Sequence, residues 1–160
     1  MSRAPWWRGA RGEWYVVAQF GLFALVAFGP RTWPGWPRIP DAFGARVASI
    51  ALLAAGFLLM LAGILRLGSK ITPLPLPVEA AELHTGGPYR IVRHPMYAGA
   101  ILMAFGWALH ARGWLTVGYA AILFAFFDLK TRREEKWLCE KFSGYAAYRK
   151  RVRKLIPFIY

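Results

Sequence analysis

Four stretches of this chain carry no charged side chain: Trp14–Gly29, Val47–Leu65, Pro95–Leu109 and Gly113–Phe127. A membrane-spanning helix needs ~20 apolar residues, with ~17 as a working minimum. Val47–Leu65 meets that length alone. The other three need their neighbours, or a tilted helix in a locally thinned bilayer. Trp14, Tyr15, Trp107, Trp114 and Tyr119 stand at or near the edges of these runs, as interfacial aromatics do. A soluble bundle would need polar faces at helical spacing, and the runs have none. The expected fold is therefore all-α: a polytopic membrane protein of one domain over residues 1–160, with four transmembrane helices, or five. The spans fall at 14–30, 46–68, 95–111 and 113–130, with a long loop over 69–94 and cytoplasmic C-terminal helices over 131–160.

Charge sets the expected orientation. Three Lys or Arg precede the first run, four lie between Arg66 and Arg93, and ten follow from Lys130 onward, so 17 of the 21 gather on one side of a four-span chain. The positive-inside rule makes that side the cytoplasm, with both termini there. The net charge of +13 reads as attraction to anionic lipid headgroups. Nucleic acid is not an expected partner, because no helix-turn-helix, zinc finger or aromatic RNA platform is visible. Trp14–Gly29 is long for a signal-peptide core and lacks a small-residue cleavage site after it, so no cleavable leader is expected. Cys139 is the lone cysteine, which rules out an intramolecular disulfide or a Cys-based metal site. His84, His94 and His110 fall in separate places, and no metal is expected.

The connections are informative in part. Residues 1–13 form a basic, Trp-bearing lead expected on the membrane surface. Pro34, Pro37 and Pro40 exclude a long helix after the first span. Thr72-Pro73-Leu74-Pro75-Leu76-Pro77 predicts an extended path at the interface or against protein. Gly56 and Gly63 in the second span, and Gly99 and Gly106 in the third, are each seven apart, a spacing that allows close helix approach. The tight turn His110-Ala111-Arg112-Gly113 predicts an antiparallel hairpin of the third and fourth spans. In the tail, Tyr145, Tyr148 and Val152 share one face of a predicted amphipathic helix whose other face is basic.

The densest polar segment is Gly86–Gly99, Gly-Gly-Pro-Tyr-Arg-Ile-Val-Arg-His-Pro-Met-Tyr-Ala-Gly. Pro95 fits the first turn of a helix, where its missing N–H costs nothing. His94 is then at or next to the N-cap, Arg90 and Arg93 lie just outside, and Tyr97 follows. Free N–H groups and a positive dipole end, flanked by Arg and His, make a receptor for a small anion such as a carboxylate. The same residues also suit a polar cap where a membrane helix leaves the bilayer.

The fourth span is expected to run on as helix past Asp128 to about Leu138, carrying Arg132-Arg133-Glu134-Glu135-Lys136. The third span starts and the fourth ends on the same side, so this cluster should stand next to His94. Alone, Glu134-Glu135 reads as a solvated helix end with Lys130 as an ordinary i−4 partner. Opposite His94, carboxylates can hold an ammonium while the helix N-terminus and Arg hold a carboxylate. Together they suit a zwitterionic amino-acid moiety.

These residues carry a resemblance. The Gly-Pro-Tyr-Arg-Ile-Val-Arg-His-Pro-Met-Tyr-Ala-Gly element, Glu134-Glu135 forty residues on, then Tyr145-x-x-Tyr148-x-x-x-Val152 and Ile156-Pro157, resembles the isoprenylcysteine carboxyl methyltransferase and phospholipid methyltransferase superfamily. The match covers about Thr72 to Pro157. The first two spans match in hydropathy alone. Many members have Phe-Gly-x-x-Tyr where this chain has the shorter Phe142-Ser-Gly-Tyr145, and members often have five or more spans.

The resemblance implies an integral membrane enzyme using S-adenosyl-L-methionine, with 69–94 as the cofactor-side loop. His94, Tyr97 and Gly99 would line the cofactor pocket together with Arg90 and Pro95, and Glu134-Glu135 would hold the cofactor's amino end. The partners would be membrane lipids and a lipophilic methyl acceptor, with no obligate protein partner. An amine acceptor must be neutral to attack, and Glu135 could take its proton. A carboxylate acceptor needs no base, and Arg90, Arg93 or Arg133 would orient it. Two other readings are a nicotinamide-dependent membrane reductase of the sterol-reductase type, which has a related Arg-His-Pro-x-Tyr stretch, and a non-catalytic scaffold with no cofactor affinity.

Overall fold

The computed structural model describes residues 13–68, 83–157 and 159–160. The basic lead before Glu13 and the proline-rich stretch with Glu79 and Glu82 lie outside the described residues. Five α-helices follow in order: α1 (Glu13–Phe28), α2 (Phe43–Leu67), α3 (Pro95–His110), α4 (Trp114–Lys141) and α5 (Tyr145–Arg151), with a 3₁₀ turn at Gly87–Arg90 before α3. No β-strand occurs among the described residues. A parallel bridge joins Val92 to Arg153.

Among the described residues two helices, α2 and α4, are long and apolar enough to cross a membrane. At 1.5 Å per residue, the 16-residue α1 and α3 reach about 24 Å, short of the ~30 Å hydrocarbon core. Helix α2 leaves large apolar side chains uncovered around its outer side, with Leu58 at 62% and Leu65 at 73% exposure. Such a surface suits lipid rather than water.

Helix α3 is central. It packs closely on α2, pairs with α4 through the turn at Ala111–Gly113, and touches α1, which itself lies along α4. Glycines explain the closeness of α2 and α3. A Cβ on Gly99 would sit 2.5 Å from the Gly56 carbonyl oxygen, and one on Gly56 would sit 2.6 Å from that of Gly99. Gly63 receives Met96 and Pro95, and Gly106 receives Leu53. The seven-residue spacing is thus a helix-packing seam. On the other side of α3, Ile101 and Ala104 join Val26, Ala120, Leu123 and Phe127 in the core.

Helix α4 runs four turns beyond its apolar stretch and carries the glutamate pair with it. The tail differs from a long amphipathic helix on a membrane surface. Helix α5 is two turns long, Tyr145 and Tyr148 are buried against protein, and Val152 falls outside it. From Val152 the chain extends beside the segment before α3: the Arg93 amide donates to the Arg153 carbonyl at 2.8 Å, and the His94 amide to that of Lys154 at 3.3 Å. The Arg93 and His94 amides precede α3 and lie outside its ladder, and the extended tail satisfies them instead, while the Val92 amide donates to the Pro88 carbonyl of the 3₁₀ turn.

Candidate active site

Pro95 opens α3 with His94 as its N-cap residue, but the His94 side chain makes no capping bond. The ring turns to α4, where Nε2 lies 3.1 Å from Glu135 Oε1. Arg93 Nε donates to the same oxygen at 2.7 Å, and Arg149 Nε lies 3.3 Å from Oε2. Arg93 also donates through Nη1 to the carbonyls of Arg149, at 3.2 Å, and Val152. A guanidinium there meets the unsatisfied carbonyls at the C-terminal end of α5. One arginine thus joins the start of α3, the extension of α4 and the end of α5.

This corrects the electrostatic assignment read from the sequence. The anion received by Arg93 and His94 is the chain's own Glu135. Burial opposes ionisation of Glu135, but the hydrogen bonds from His94 and Arg93, and their charges, outweigh it and hold its pKa down to about 2. A carboxylate held so low is a weak proton acceptor.

Glu134 is in the opposite condition. Adjacent residues on a helix point about 100° apart, and Glu134 turns toward α3, where Tyr97 donates to its Oε2 at 3.2 Å. It is surrounded closely enough that burial raises its pKa, with the Glu135 charge adding to the rise and His94, Lys130 and the Tyr97 bond opposing it. The residue as a whole is partly buried. Tyr97 is itself held in a stack, 5.8 Å from the His94 ring and 4.6 Å from that of Phe127. Lys130 Nζ stands 5.0 Å from the Tyr97 centroid and donates to Gln19 of α1 at 2.5 Å.

Tyrosines complete the corner. Tyr148 donates to the Tyr89 carbonyl at 2.6 Å and meets the Tyr145 ring edge-on at 5.7 Å. The Tyr145 hydroxyl is buried without a hydrogen-bond partner among the described residues, as is His84 Nε2. Burial lifts the Tyr145 phenol far above its ordinary value, and the charges of Glu135 and Glu134 lift it further, against Arg93. Tyr89 is raised by burial, then by Glu134 and Tyr148. Buried polar groups are almost always paired. An orphaned hydroxyl within electrostatic reach of Glu134 is therefore what a polar ligand would complete.

The remaining predicted residues separate. Pro95 is buried against α2 near Gly63. Gly99 faces Gly56 of α2, away from the glutamates. Arg90 is exposed at the end of the 3₁₀ turn. Arg133 lies over the rings of Tyr15, at 5.6 Å, and Trp137, at 5.1 Å, on the α1 side of α4. Sequence reasoning did not find Tyr145, Tyr89, Arg149 or Gln19 at this corner. Gln19 had a signal, as the one strongly polar side chain in the first apolar run. Arg149 sits in a run of basic residues and had none.

A model of the phospholipid methyltransferase family matches residues 45–144. Among curated proteins, the chain is 35% identical over 79 residues to a steroid 5-alpha-reductase DET2 of Gossypium hirsutum, covering 49% of this chain and 30% of that protein. It is 35% identical over 80 residues to a probable protein-S-isoprenylcysteine O-methyltransferase of Oryza sativa subsp. indica, covering 49% and 42%. It is 29% identical over 133 residues to the protein-S-isoprenylcysteine O-methyltransferase of Homo sapiens, covering 78% and 45%. The chain thus spans less than half the length of each of these relatives.

Proposed function

The chain belongs to the phospholipid methyltransferase family, and from that premise we propose that it is an integral membrane methyltransferase dependent on S-adenosyl-L-methionine. Its acceptor is a lipophilic or amphiphilic molecule, either a phospholipid amine or an isoprenylcysteine-type carboxylate. The isoprenylcysteine O-methyltransferase relatives support the class. In this reading the chain crosses the membrane four times, with both termini and the site in the cytoplasm. The uneven Lys and Arg distribution supports that orientation.

One observation carries the reading: Glu134 and Glu135 are adjacent, yet Glu135 is fully engaged by Arg93, His94 and Arg149, while Glu134 accepts from Tyr97 and its charge reaches a Tyr145 hydroxyl that has no partner among the described residues. When bound, the cofactor supplies an activated methyl group on a positively charged sulfur. Glu134 holds its ammonium end, with Tyr97 fixing the carboxylate. The Tyr145 hydroxyl completes its bonding on the same ligand. Glu135 is a positioning residue, locking α3, α4 and α5 so that Glu134 and Tyr97 keep their places. Holding donor and acceptor in line can supply ~7–11 kcal/mol of the barrier. For an amine acceptor, Glu135 with its lowered pKa is a poor proton acceptor. For a carboxylate acceptor no base is required, and exposed Arg90 is available to orient it.

The reductase relative favours a second reading, a nicotinamide-dependent membrane reductase. Calorimetry on the detergent-solubilised chain with S-adenosylhomocysteine and with NADPH separates the two. The proposal expects heat with the first alone. Binding of NADPH without S-adenosylhomocysteine would replace it with the reductase, and binding of neither would leave a scaffold.

A further inference from the structure

Glu135 also lines a second space, a cavity of about 380 Å³ bounded by Arg93, Arg132, Arg149, Arg153 and Lys154. Its carboxylate partners are few. Asp128 accepts from Lys154 and lies 2.7 Å from Arg132 Nη2. Glu135, two turns further along α4, takes Arg93 and Arg149. Five cations against two carboxylates leave three positive charges in excess among these side chains. Arg132 and Arg149 keep 62% and 56% of their side-chain surface exposed, so both can turn toward a ligand without leaving the cavity.

The wall is not all polar. Ile159 and Tyr160 line it, and Ile159 is 75% exposed with Ile156 at 36%. The apolar stretch of α4 ends at Phe127, immediately before Asp128, which puts the cavity at headgroup level if α4 spans the membrane. A soluble anion gains nothing from uncovered isoleucines, whereas a lipid gains from both features. Arginine forks match phosphate oxygens in pairs, and basic pockets at a membrane surface bind multiply charged lipid headgroups.

We propose that this cavity binds the phosphate headgroup of an anionic phospholipid carrying two negative charges, with its acyl chains passing Ile156 and Ile159. The site goes beyond methyl transfer: its occupancy is read without any methyl donor, so it stands or falls separately from that activity. It also connects to the corner at Glu135, since a bound phosphate competes with Glu135 for Arg93 and Arg149.

Native mass spectrometry of the whole detergent-solubilised chain, titrated with cardiolipin, phosphatidylglycerol and phosphatidylcholine, tests the proposal. Cardiolipin is expected to be retained most strongly and phosphatidylcholine least. Arg149→Gln and Arg153→Gln should each weaken cardiolipin retention on the order of tenfold. Lys150→Gln and Arg151→Gln remove equal charge from the exposed side of α5 outside the cavity, and should leave retention unchanged. Equal losses in both sets would mean diffuse attraction and overturn the site. Displacement of cardiolipin by inorganic phosphate, or by S-adenosylhomocysteine, would assign the cavity to a soluble anion and overturn it as well.

Discussion

Arg93 and Glu135, 42 positions apart, form an ion pair of 2.7 Å in which the side chains keep 8% and 4% of their surface. The pair ties the segment before α3 to the cytoplasm-directed extension proposed for α4. Breaking a buried pair from one side leaves an uncompensated charge, at a cost of roughly 3–5 kcal/mol. Glu135→Ala should therefore lower stability by about that amount in chemical denaturation. The double variant Arg93→Met with Glu135→Leu should cost clearly less than the two single changes added together. Simple additivity would show that the two residues do not act as a unit.

The same pair gives a pH dependence. The pKa of Glu135 falls from its ordinary 4.5 to about 2 on folding. A depressed pKa means that the stabilisation is complete above 4.5 and is lost as pH falls toward 2. The loss amounts to ~3 kcal/mol by linkage. Midpoints of thermal unfolding between pH 5 and pH 2 should drop more steeply in the wild type than in Glu135→Gln. Parallel curves would refute the assignment.

Glu134 predicts the opposite trend for ligand affinity. Burial raises its pKa, so as pH falls it becomes neutral earlier than an ordinary glutamate and loses its attraction for an ammonium. Affinity for S-adenosylhomocysteine should therefore rise with pH through that raised value. Glu134→Gln should bind at least about tenfold more weakly and without that rise. His94→Ala should also weaken binding, because His94 stacks on Tyr97 and contacts Glu135. Wild-type affinity in both variants would remove Glu134 and its surroundings as the donor site.

Tyr145→Phe should separate stability from binding. It deletes a buried hydroxyl that has no partner among the described residues. Removing an unsatisfied polar group is neutral or stabilising, by up to ~1 kcal/mol. Affinity for S-adenosylhomocysteine should fall instead. A variant that loses stability and keeps affinity would place the hydroxyl in the scaffold and not at the ligand.

Gly99→Ala should act on packing. Its new methyl group would meet the Gly56 carbonyl oxygen at 2.5 Å, and two helix backbones must then part, at a cost of about 1–3 kcal/mol. The folded fraction should bind S-adenosylhomocysteine as the wild type does. Selective loss of binding with stability unchanged would return Gly99 to the ligand pocket.

Much of this arrangement can be read without coordinates. Pro95 after a polar segment marks the start of α3, the glycine spacing marks a close helix seam, and the tight turn at Ala111–Gly113 makes a hairpin. A hairpin necessarily returns Glu134 and Glu135 to the end of the molecule where His94 begins. What a linear pattern does not carry is direction around each helix axis and the path of the tail. Neighbouring residues on α4 differ by about 100°, so the pair that looks like one motif becomes one carboxylate locked by Arg93 and His94 and another turned to Tyr97 of α3. Gly99 and Tyr97 part for the same reason, one toward α2 and the other toward α4. The extended tail at Arg153 and Lys154 docks on Arg93 and His94, whose amides have no helix to join. That bond depends on two distant segments meeting in space, and neither segment announces the other.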